Sequence, residues 1–178
     1  QDRYNRLISA ALSADKRSKH IVTQTRLMNW AGNYTYGTTN IAYPESIEQV
    51  QALVAQHAKI KVLGTRHSFN NIADSDAQLI ALEKLPPEIR IDREQRQVTI
   101  TANVRYGELC GVLHNEGFAL HNLASLPHIS VAGACATATH GSGLNNRNLA
   151  TAVSALEIVT AEGELVRLSR EADGDTFN

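Results

Sequence analysis

Gly64-Thr65-Arg66-His67-Ser68-Phe69-Asn70 is the stretch whose reading decides the fold. It follows Ile60-Lys61-Val62-Leu63, whose alternation predicts a half-buried strand, and Gly64 breaks that strand. The loop is dense in hydrogen-bonding groups and has no period that folding alone requires. Two readings fit these residues by themselves. One is a polar turn with an exposed histidine. The other is a ligand loop, because a Gly-led turn after a strand can aim backbone N–H groups at phosphate oxygens. In that reading His67 adds a nucleophilic imidazole, and Ser68 and Asn70 add donors.

Working outward, Ser46 and Gln49 form an S-x-x-Q capping box. Ile47, Val50, Leu53 and Val54 then share one helical face, so a helix ending near Lys59 feeds the strand before the loop. Residues 1–28 are polar and partly helical in pattern, with a basic stretch from Lys16 to Lys19, and are expected to form a solvated leader. Downstream, Leu79 to Leu82 predict a strand and Pro86-Pro87 a break. Ile89 and Ile91 pair by pattern with Val98, Ile100 and Ala102 across a polar turn at 92–96. Leu109, Val112 and Leu113 mark a second helix, closed by Gly117 at its C′ position. A last hairpin joins about 153–160 to 164–168 through Glu162-Gly163. Short elements of both kinds, without an internal repeat, predict an α+β domain with small sheets. No G-x-G-x-x-G and no Walker A motif is present, so neither a Rossmann nor a P-loop site is supported.

A second segment also lacks a folding rationale. In Ala124-Ser125-Leu126-Pro127-His128-Ile129-Ser130-Val131-Ala132-Gly133-Ala134-Cys135-Ala136-Thr137-Ala138-Thr139-His140-Gly141-Ser142-Gly143, almost every side chain from Ser130 to Thr139 is small. A core helix of that composition would leave its neighbours underpacked. Small side chains suit a backbone that must touch a large flat ligand or a diphosphate, and Ser130 is placed to cap a helix there. They also suit a tight helix–helix contact, and both readings stay open at this point.

The 178 residues are 43% hydrophobic and 20% charged with a net charge of −1, which fits one soluble globular domain. That balance offers nothing for nucleic acid or an anionic membrane, and no apolar run approaches the roughly 20 residues of a spanning helix. Cys110 and Cys135 are expected to be free buried thiols, which leans towards a reducing, cytoplasmic compartment. His114, His121, His128 and His140 give no ligand pair one helical turn apart, so no metal site is expected. The chain opens on Gln1-Asp2-Arg3-Tyr4 and stops at Gly174-Asp175-Thr176-Phe177-Asn178, read as a polar connection; both ends suggest a trimmed chain.

Together, the loop at 64–70 and the run at 125–143 resemble the two cofactor motifs of the PCMH-type FAD-binding domain of the vanillyl-alcohol-oxidase superfamily, within it the alditol (xylitol) and aldonolactone (gulonolactone) oxidases. The resemblance runs from Asn29-Trp30-Ala31-Gly32-Asn33 to about Leu168. It implies two small α/β subdomains, 29–85 and 86–178, with a separate substrate domain absent from this chain. It implies FAD as cofactor, bonded covalently to His67. Val62, Leu63, Gly64, Thr65, Arg66 and Ser68 match the diphosphate loop. Ser125 matches a catalytic residue near the flavin's reactive centre, and Ser130, Gly133, Thr137, Ala138, Thr139 and His140 match further cofactor contacts. The implied reaction is oxidation of a polyol or a sugar lactone by hydride transfer to the flavin, with oxygen as acceptor in the oxidases. A flavin-carrying module without turnover of its own is the contrasting expectation. The position of Arg66 is often Gly in this family; if it needs positive φ, an arginine there costs on the order of 1 kcal/mol.

Overall fold

A computed structural model describes residues 26–177. The predicted leader lies outside the described residues except for its last three positions. Of these, Met28 bridges Thr35, and the Leu27 carbonyl accepts a hydrogen bond from the Tyr36 N–H.

Strand β1 (Ile41–Ala42) precedes helix α1 (Ile47–Gln56), where the Ser46 side chain accepts from the Gln49 N–H as expected, while the Gln49 side chain accepts from the Glu45 N–H rather than closing the box on Ser46. Strand β2 (Ile60–Val62) leads into the loop, and β3 (Gln78–Ile80) returns beneath it. The three form one parallel sheet in the order β1-β3-β2. Central β3 is buried throughout, and its alternation feeds two cores. Leu79 packs with Tyr36 and Leu63 on one face, and Ile80 packs with Val50 and Leu85 on the other.

The predicted strand at 79–82 is displaced. It begins at Gln78, and Leu82–Lys84 form a 3-10 turn. Gln78 is a buried polar residue whose amide donates to the Leu79 carbonyl at 2.6 Å and whose oxygen accepts from Asn40 at 2.6 Å. Hydrophobic pattern reading has no means of counting such a residue into a core strand.

The hairpin of β4 (Ile89–Asp92) and β5 (Gln97–Ile100) pairs Ile89 with Ile100 and Ile91 with Val98, while Ala102, also expected in the hairpin, lies beyond the end of β5. Its apolar face covers Val104, Leu109 and Leu113 of helix α2 (Tyr106–Asn115) and the residues leading into it. Gly117 follows α2 with φ 79°, the left-handed conformation expected at C′. Helix α3 (Val131–Ala136) occupies the small-residue run and is capped by Ser130. A second hairpin, β6 (Ala155–Val159) and β7 (Leu165–Ser169), turns at Gly163 (φ 81°). That turn lies against α1, where Gln51 donates to the Gly163 carbonyl at 2.7 Å.

Two further expectations are corrected. The tail read as a polar connection is helical: α4 (Arg170–Asp173) is capped by Ser169 and followed by a 3-10 turn at Gly174–Phe177. Cys110 and Cys135 are free, but both are half-buried rather than buried. The Cys135 thiol meets the hydroxyl of buried Tyr106, and loss of solvent pushes both groups up from their ordinary pKa.

Candidate functional site

The loop after β2 is held from outside by a turn at 29–34. Asn29 is buried; its side-chain amide donates to the Ser68 carbonyl at 2.9 Å and to Asn33 Oδ1 at 2.7 Å. Its Oδ1 accepts from the Tyr34 N–H at 3.0 Å. The Trp30 N–H donates to the Arg66 carbonyl at 2.7 Å, and Asn33 reaches the Phe69 carbonyl. These bonds take up carbonyls on the outer side of the loop. The N–H groups of 64–68 meet no acceptor among the described residues and remain free to donate.

Arg66 sits at φ 61°, the left-handed region. The position does need positive φ, so the arginine carries the backbone cost that glycine would avoid, on the order of 1 kcal/mol. Its guanidinium is exposed and donates to the Met28 carbonyl at 3.2 Å. A backbone that passes through the left-handed conformation with free N–H groups makes a concavity suited to an anion.

Replacing Asn29 with Ala leaves the Ser68 carbonyl and the Tyr34 N–H without their partner. The expected loss is about 1–3 kcal/mol of stability, read from denaturant unfolding, with increased proteolytic cutting at 64–70. Unchanged unfolding and cutting would show that the turn does not hold the loop.

The two predicted segments come together. A Cβ built on Gly64 would lie 3.4 Å from Ser130 Oγ, so the loop touches the start of α3. Gly133 is closed in by the same hydroxyl, and its N–H donates to it at 3.3 Å. Beyond α3, Thr137 donates to the Gly133 carbonyl and lies 3.3 Å from Thr139, while Ala138 adopts φ 53°. Thr137, Ala138 and His140 are exposed. His140 Nδ1 donates to the Gly141 carbonyl at 2.9 Å, and a Cβ on Gly141 would overlap Asn122 and the Leu123 carbonyl. Ser125 is exposed on the segment before α3. Val62 is exposed, whereas Leu63 points into the core with Tyr36 and Leu79 and offers a ligand only its backbone.

His67 lies at the centre. Its Nδ1 is 3.0 Å from Thr65 Oγ1, and its Nε2 is buried without a hydrogen-bond partner among the described residues. Trp30 stacks on the ring at 5.1 Å with 25° between planes, and His128 approaches it at 4.8 Å. Loss of solvent holds the His67 pKa below the usual imidazole range, and His128, Arg105 and Arg66 push the same way. The ring is therefore neutral near pH 7, with one nitrogen unengaged.

Trp30, His128 and Asn29 were not among the site residues expected from sequence. The sole tryptophan, 57% exposed, carries no period, and His128 stands inside the second motif without a spacing that singles it out. Among the described residues no group of three or more His, Cys, Asp or Glu is arranged to hold a metal.

The donor set fits a dinucleotide carrying a flat ring. Free loop N–H groups and Arg66 suit phosphate oxygens, the small-residue surface from Gly133 to Thr139 allows close backbone approach, and His67 keeps one ring nitrogen without a hydrogen-bond partner among the described residues.

Comparisons with known proteins identify the family. Residues 38–169 match the family described as FAD binding domain. The alditol oxidase of Streptomyces sp. is 47% identical over 148 residues, 82% of this chain and 36% of that protein. The L-gulonolactone oxidase of Mus musculus is 31% identical over 85% of this chain and 36% of its own length. Among solved structures, the xylooligosaccharide oxidase of Myceliophthora thermophila aligns with a TM-score of 0.69 at 21% identity, covering 84% of this chain and 33% of that one. Cholesterol oxidase from B. sterolicum aligns at 0.71 and 18% identity, over 82% of this chain and 32% of that one. The chain thus spans about a third of the length of the relatives it matches. With a family model matching residues 38–169 and a relative 47% identical over most of the chain, the chain belongs to the FAD binding domain family.

Proposed function

We propose that this chain is the cofactor-holding part of an enzyme that oxidises the CH–OH group of a polyol, with FAD attached covalently to His67 and oxygen as the acceptor. The observation that carries the reading is the loop at 64–68: free N–H groups, a positive-φ Arg66 and a neutral imidazole whose Nε2 is buried and unpartnered, set against the small-residue run of α3. The 47% identity to an alditol oxidase favours an alditol as donor.

When bound, FAD supplies the acceptor for a hydride from the alcohol carbon. The protein's residues do the holding. The N–H groups of 64–68 would donate to the diphosphate, and Arg66 would add a positive charge beside it. Ser130 fixes the start of α3, and Gly133, Thr137, Ala138, Thr139 and His140 would form the surface that holds the cofactor. His67, kept neutral, presents a nitrogen lone pair for a bond to the ring system. Ser125, exposed ahead of α3, offers a hydroxyl at the reactive end.

Aldonolactone relatives at 31–32% identity support a second donor class. Oxygen uptake by the full-length protein with xylitol and sorbitol, set against gulono- and galactono-lactones, separates the two. Faster turnover with the alditols is expected. Turnover with lactones alone would move the enzyme to the second class, and none with either donor would leave a flavin-carrying module.

A further inference from the structure

The surroundings of His67 contain a second imidazole that the proposed chemistry does not use. His128 lies 4.8 Å from His67 between ring centroids, tilted by 49°, and Trp30 covers both rings at 5.1 and 5.9 Å. The Nε2 atoms of both histidines are buried, and neither has a hydrogen-bond partner among the described residues. A neutral imidazole tolerates one poorly solvated nitrogen; an imidazolium in the same place would bury a charge without a counter-ion. Two imidazolium ions this close would also repel each other.

We propose that His128 is a positioning residue for His67: the two imidazoles share an aromatic seat under Trp30 that accepts at most one proton, so His67 is held neutral and its ring fixed. The inference rests on the reading of His67 as the flavin attachment residue, and it says how this chain keeps that residue ready. Every charge bearing on His67 is positive: His128 from the segment before α3, Arg105 at the start of α2 and Arg66 from its own loop. Only the hydrogen bond at Thr65 favours the protonated ring. His128 differs from the two arginines in that its ring lies directly against that of His67, 4.8 Å away. Its ring also walls the seat, so it contributes dryness as well as repulsion.

The test is a titration of the histidine ring signals by NMR in the full-length protein without flavin, for the wild type, His128→Gln and His128→Phe. Phe keeps the bulk and dryness of the seat and removes only the proton site. In both variants the His67 midpoint should move up from its wild-type position. Covalent flavin incorporation, followed as fluorescence that survives acid denaturation, should then slow several-fold at mildly acidic pH and return to the wild-type rate above neutrality. A His67 midpoint unchanged in both variants, or incorporation slowed equally at every pH, would show that His128 only packs against the loop. If flavin never stays on the polypeptide, the attachment reading fails; the ring titration still decides the pairing, because it needs no flavin.

Discussion

Replacing His67 with Ala should free the flavin from the polypeptide. In the wild-type full-length protein, yellow colour is expected to stay with the chain through acid denaturation; in His67→Ala it should remain in solution. The effect is expected to be all-or-none, because the bond needs a nucleophilic nitrogen and the loop holds no second one. Thr65 and Ser68 offer hydroxyls, which are far weaker nucleophiles at neutral pH without a base. His128 is near but is carried on a different segment, beyond the loop. The variant should retain much of the fold, since the His67 side chain makes one hydrogen bond and two ring contacts rather than filling a core. Non-covalent FAD should still bind through the free N–H groups of 64–68. Colour that stays with His67→Ala would place the attachment elsewhere.

Leu79→Ala is expected to cost about 2–5 kcal/mol of stability. Leu79 is fully buried on the central strand, and it joins Tyr36 and Leu63 in the core beneath the loop. Leu63 is the last residue before Gly64, so a cavity at Leu79 removes the floor on which the loop stands. Denaturant unfolding should show the loss, and FAD affinity should fall with it. A loss well under 1 kcal/mol would mean that the core collapses around the gap, and that the loop does not depend on this strand.

Much of this architecture is legible in the sequence wherever a side-chain period meets a clear stop. The helix cap at Ser46, the pairing of Ile89 and Ile91 with Val98 and Ile100, and the left-handed Gly117 all appear in the structure. Three features are not legible, each for a physical reason. Strand β1 has two residues, too few to show alternation. The start of β3 is a buried glutamine, satisfied by Asn40 and a backbone carbonyl that only the fold brings near. The helical tail depends on Ser169 and Asp173 capping a single turn, which the polar composition disguises.

The candidate site divides in the same way. The residues that belong to the two motifs stand out because small and polar side chains there break the packing rules of ordinary elements. The residues that support them do not. Asn29 reaches Ser68 across 39 positions, and Trp30 and His128 meet His67 through the fold alone. Arg66 shows the limit from the other side: the sequence raised the question of positive φ, and the backbone at 61° answers it.

The most direct test of the central claim is mass spectrometry of tryptic peptides from the full-length, flavin-loaded protein. Lys61, Arg66 and Lys84 define peptides 62–84 and 67–84, each holding His67 as its only histidine. The account predicts that one of these carries the added mass of FAD, with fragmentation placing it on His67. An unmodified 67–84 peptide, with all flavin released into solution or found on another histidine, would contradict it.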